Sequence, residues 1–135
     1  MTPTTITFVL TVLAAVVVVL TRVRLGRKTD AAGRLSIPRG LLNMHTGAGV
    51  PAVVLWVVFL VLDMTLVGWV ALLFWWVTAV AGLLILARWM PAKGKHSSGP
   101  VEDTWGEGPG LSVLAHVGML IGVIVFTAFL LLGKI

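Results

Sequence analysis

Four apolar runs, residues 5–21, 41–62, 66–87 and 111–132, dominate this chain. Each is long enough, or nearly so, to cross a hydrocarbon core of roughly 30 Å at about 1.5 Å per residue. Backbone exposed to lipid cannot leave its polar groups unpaired, so such runs must be helical whatever their side chains favour in water. The first run, TITFVLTVLAAVVVVLT, shows the force of that rule. Its β-branched residues would suggest a strand in a soluble protein, yet it reads as a helix here. The expected fold is an all-α integral membrane protein, a four-transmembrane-helix bundle making one domain over 1–135.

Composition agrees, since 59% of the 135 residues are hydrophobic and 11% charged, too little polar surface for a soluble domain of this size. The net charge of +5 would point to nucleic acid in a soluble protein. Here the cations sit between the runs, where they orient the chain in the bilayer, and no nucleic-acid partner is expected. Six Lys and Arg residues fall in the connector 22–40 and three more in 88–110, against none between the second and third runs. Both charged connectors are therefore expected in the cytoplasm and both termini on the non-cytoplasmic side. Arg22, Arg24, Arg27 and Lys28 follow the first run directly, the reverse of a cleavable signal peptide, so that run is expected to be retained. A multi-pass protein of the bacterial plasma membrane is the expected setting.

Several classes of chemistry are absent from the sequence. The chain has no cysteine, which removes disulfides, thiolate metal sites and cysteine nucleophiles. None of the four runs contains Asp or Glu, whereas small four-helix multidrug exporters depend on a membrane-embedded carboxylate. Motifs of hydrolases, zinc peptidases and P-loop proteins are missing too. The chain does not read as an enzyme acting by itself.

What the runs do contain is a pair of histidines. His45 is the fifth residue of the second run and His116 the sixth of the fourth, and both runs start at the cytoplasmic side. The two imidazoles are thus expected at one depth on parallel helices. A titratable side chain at that depth is costly and turns towards the bundle interior, where it meets a partner or a ligand. Two at one level suit a shared ligand, and imidazole is a common axial ligand of haem iron. The expected cofactor is haem b, with His45 and His116 on the iron. Ala48 and Gly49 beside His45, with Gly47, Gly118 and Gly122, are expected to give the ring room. Arg39 and Arg88, with Arg22 and Lys93 at the same face, are expected to meet its propionates.

A plainer account runs alongside. Gly118-x-x-x-Gly122 is a generic close-packing pattern, and Pro51, lacking an N–H, frees the Gly47 carbonyl for a hydrogen bond from a histidine. Met44 and Met119 read as packing residues. Trp56, Trp75 and Trp76 lie deep in their runs and either line a cofactor or quinone cavity or face lipid or a partner subunit. In the loop, His96 reads as solvated, and Glu102, Asp103, Trp105 and Glu107 form an acidic, aromatic patch suited to docking a partner.

The architecture resembles that of small four-helix membrane cytochromes, a likeness carried by the helix count and the two histidines alone. The expected function is a small b-type redox subunit exchanging electrons with a quinone or a partner protein. The alternative is a cofactor-free accessory or anchor subunit bound to other membrane or peripheral subunits, such as those of a respiratory complex. A small transporter or channel is the third reading.

Overall fold

The computed structural model describes residues 1–26, 38–89 and 109–135, with side chains for all of these except 21, 22, 24–26, 88, 89 and 109–112. The sequence expectations for Arg22, Arg88, Lys93, His96 and the acidic patch 102–107 concern side chains outside that description. Four helices account for nearly all of it: α1 Pro3–Gly26, α2 Arg39–Leu62, α3 Thr65–Trp89 and α4 Pro109–Leu131. All four are long and apolar enough to span a membrane, with mean hydropathy of 2.0–2.4 over the candidate spans.

The helix ends differ from those read from hydropathy, because hydropathy marks the edge of the hydrocarbon and not the end of the hydrogen-bonded spiral. Arginine is a good helix former, so α1 runs on past Arg22 and Arg24 to Gly26. Pro109 opens α4 two residues before its apolar run, at a position where a missing N–H costs nothing and a fixed φ helps. Pro51 lies inside α2.

The connection between α2 and α3 is only Asp63 and Met64, which makes the two helices an antiparallel hairpin. Asp63 ends α2 in the left-handed conformation, φ 54° and ψ 37°, and its N–H reaches the Phe59 carbonyl at 2.8 Å. Gly68 then lets the first turn of α3 lie against the Phe59 ring, because a Cβ there would stand 2.9 Å from Phe59 Cδ2.

Around this hairpin the bundle closes as a square. α1 packs on α2 and α4, and α3 also packs on α2 and α4, so α2 and α4 occupy opposite corners. The outward half of the core is aromatic: Trp56 stacks on Phe126 at 4.6 Å between ring centres, Phe59 tilts against Trp56 at 5.2 Å, and Trp75 against Phe126 at 6.0 Å. Small residues, Ala52, Ala71 and Ala79, fill the space beside these rings. The helix α1 contributes a narrow stripe, Thr7, Thr11, Ala14 and Val18, and turns Phe8, Val12, Val16 and Val19 outward. Those exposed apolar faces require lipid around the bundle.

Hydroxyl groups are absorbed locally. Thr7, Thr11, Thr46, Thr78 and Thr127 each donate to the carbonyl four residues back, at 2.7–3.2 Å, so these five hydroxyls need no water inside the span. Trp76 adds a bond between helices, its Nε1–H donating to Thr127 Oγ1 at 3.1 Å.

The Asp63 turn yields a prediction. Left-handed backbone costs a β-branched residue about 1–2 kcal/mol and glycine almost nothing. In detergent, Asp63→Val is expected to lower stability by about 1 kcal/mol and Asp63→Gly to hold or raise it. Equal unfolding midpoints for both variants would show that the hairpin does not depend on this turn.

Candidate functional site

His45 is the seventh residue of α2 and His116 the eighth of α4, one and a half to two turns inside the helix starts. Both side chains are buried, 3% and 7% exposed. Although their helices stand at opposite corners, the imidazoles meet across the core, with ring centres 6.3 Å apart and planes inclined at 49°. The diagonal separation therefore does not keep the pair apart; it aims the two rings at each other from opposite directions.

Gly82 of α3 completes the site. A Cβ on Gly82 would stand 2.7 Å from His116 Cδ2, 3.3 Å from His116 Nε2 and 3.2 Å from His45 Nε2. Real Cβ atoms do not approach a ring carbon that closely, so any side chain at 82 would drive the imidazoles away. The same distances mean that both Nε2 atoms face one short stretch of bare backbone. Sequence reasoning missed Gly82 because it sought small residues only on the histidines' own helices. The signal was depth: Gly82 is eighth from the end of α3, the same distance from that membrane face as the histidines.

The other small residues divide differently. Ala48, one turn from His45, is buried beside it in α2. At Gly49 a Cβ would meet Thr78 Cγ2 and both Val18 methyl groups at 3.3 Å, so this glycine seats α2 against α3 and α1. Gly47 and Gly118 are exposed, and a Cβ on either would find nothing within 4 Å. Gly122 is buried yet has the same empty surroundings. Hence Gly118-x-x-x-Gly122 is not a close-packed seam within this chain. Arg39 lies exposed in the first turn of α2, on the histidines' side of the bundle. Met119 is buried one turn from His116, and Met44 is exposed.

The pair's chemistry follows from its donor set. A metal held between two imidazole nitrogens at about 2.0–2.1 Å each puts the ring centres roughly 6 Å apart once half of each ring is added. The observed 6.3 Å has that spacing. Among the described residues no group of three or more His, Cys, Asp or Glu side chains is placed to hold a metal. Two imidazoles are an incomplete shell for a bare tetrahedral or octahedral ion. They are the full protein share of a six-coordinate haem, whose macrocycle supplies the remaining four nitrogens. Donor type and number thus fit haem. Space is the demanding term, because Gly82 lies against both rings and a macrocycle between them must separate α3 from the pair. The missing Cβ sets how little α3 has to move.

Gly82→Val tests the contact without reference to any cofactor. Overpacking of this kind costs about 1–3 kcal/mol, so its thermal unfolding in detergent should fall clearly below that of Gly118→Val, which enters open space. Equal stabilities for the two variants would mean that Gly82 does not touch the pair. Comparisons with protein-family models, curated proteins and solved structures give no match to this chain, so its function is argued from the geometry of the pair.

Proposed function

We propose that this chain is a small b-type redox subunit of a bacterial plasma membrane, with one haem held by His45 and His116 near the cytoplasmic leaflet. The observation that carries the reading is the meeting of two buried imidazoles from diagonal helices at 6.3 Å. Opposite corners of a bundle are where a flat macrocycle needs its axial ligands, since each must approach from a different face.

In this reading the haem supplies one-electron exchange when bound. The chain does the rest. His45 and His116 would hold the iron through their imidazole nitrogens, and the apolar core around them would exclude water, which tunes the potential. Gly82 bares the α3 backbone where the edge of the ring would pass. Arg39 lies on the side where propionates would be balanced by a guanidinium group. With the cation-rich connectors in the cytoplasm, both termini face away from it. A quinone or a partner protein exchanges the electrons.

A cofactor-free accessory or anchor subunit is the second reading, and the tight contact of Gly82 with both rings favours it. In that case the pair is a packing element that holds α2, α3 and α4 together.

A reduced-minus-oxidised absorption spectrum of the detergent-purified chain, with a pyridine haemochrome assay, separates the two. A low-spin b-type spectrum is expected, and His45→Ala and His116→Ala should each lose it, because one remaining imidazole cannot hold both axial positions. A colourless preparation from haem-replete cells gives the anchor reading, and full haem retention in either variant overturns the ligation.

A further inference from the structure

Outward of the histidines, the aromatic layer carries two groups that the function above does not use. Trp56 and Trp75 are both 0% exposed, and neither Nε1 has a hydrogen-bond partner among the described residues. Indole N–H groups normally find an acceptor when buried, as Trp76 does on Thr127. A core needing only packing at these places would be served by phenylalanine, which the chain uses next to them at Phe59 and Phe126. Trp56 and Trp75 therefore present two donors, from α2 and α3, to the inside of the bundle with nothing of the chain to receive them.

There is also unfilled space nearby. Gly122 is buried, yet a Cβ on it would find no atom within 4 Å. It lies one turn inward of Phe126 on the same face of α4. At about 1.5 Å per residue, Gly122 is roughly 9 Å outward of His116 and Trp75 roughly 10 Å outward of Gly82. The gap and the Trp75 indole thus share one level, nearer the histidine pair than Trp56 and Phe126.

We infer that Trp56, Trp75, Phe126 and Gly122 form a binding site for a flat, lipid-soluble molecule with carbonyl acceptors, a quinone by chemical class. Two donors on neighbouring helices match two carbonyl oxygens. The rings of Trp56, Phe126 and Trp75 pack on one another, and a guest in the Gly122 gap would lie against the apolar side of that stack. A guest entering from the bilayer must be apolar apart from the groups that meet the indoles. Binding stands on these observations alone. That the guest exchanges electrons with the histidine site rests on the function proposed above.

The test is titration calorimetry of the full-length chain in detergent with a decyl-substituted benzoquinone, set against the corresponding hydroquinone dimethyl ether, which has no carbonyl. Saturable binding of the quinone is expected, with no competition from the ether. Trp56→Phe and Trp75→Phe keep the ring bulk and remove one donor, so each should weaken binding roughly 3–10-fold. Gly122→Leu approaches from the opposite side, filling the gap and abolishing binding even if a tryptophan variant fails to fold. His45→Ala should still bind the quinone, so loss of haem and loss of this site are read separately. Absence of saturable binding, or unchanged affinity in both tryptophan variants, overturns the site. Higher thermal stability of the tryptophan variants with no effect of quinone on any form would also overturn it, leaving the indoles to a trapped water or to nothing.

Discussion

In hydrocarbon, a backbone N–H or C=O that finds no partner within the protein has no water to fall back on, and every other feature of this molecule is subordinate to that fact. It turns a β-branched segment such as α1 into a helix. It sends threonine hydroxyls back to the carbonyl four residues earlier. It also explains why Asp63, the one non-glycine residue with positive φ among the described residues, sits in the link between α2 and α3, where its side chain is exposed. Once the helices are imposed, the apolar side chains on their outer faces lose any reason to hide, since lipid solvates them as well as a core would. What sorts the inside from the outside is then the polar and aromatic minority.

The histidines show this sorting most clearly. An imidazole facing lipid carries a large penalty, so His45 and His116 rotate their helices until both rings lie in the centre. Because α2 and α4 are diagonal, the rings arrive from opposite sides and not from adjacent ones. A third helix has to let them meet, and the residue that does so is Gly82, where α3 offers no side chain to the pair. The three residues make a site whose geometry depends on three helices at once. That is why a change at Gly82 acts on the histidines without touching their own helices.

Four spans, the short hairpin link and the common depth of His45 and His116 were legible in the sequence, because hydropathy, connector length and rise per residue determine them. The diagonal arrangement was not, since nothing in the local pattern of α2 or α4 says which corner each occupies. The glycines show the same limit. Gly49 and Gly118 look alike in a sequence, but one seats α2 against two neighbours and the other faces open space. Only the packing of other helices tells them apart. Tryptophan was misleading in a similar way: Trp56 and Trp75 fit a lipid-facing reading by position, and they are instead fully buried.

Those two tryptophans divide the bundle into layers with different chemistry. Toward the Arg39 end of α2 the core presents two buried imidazoles and the bare backbone at Gly82. Farther out it presents N–H donors and flat rings, which suits an acceptor-bearing, planar molecule. Ala52 and Ala79, both buried, lie between the layers. A structural anchor needs neither kind of group, and its core is most stable when filled with aliphatic side chains that leave no polar atom unpaired. Two buried indoles with no hydrogen-bond partner among the described residues are therefore a stability cost that packing alone does not explain. Under the proposed reading, a carbonyl-bearing guest that meets those indoles would offset it.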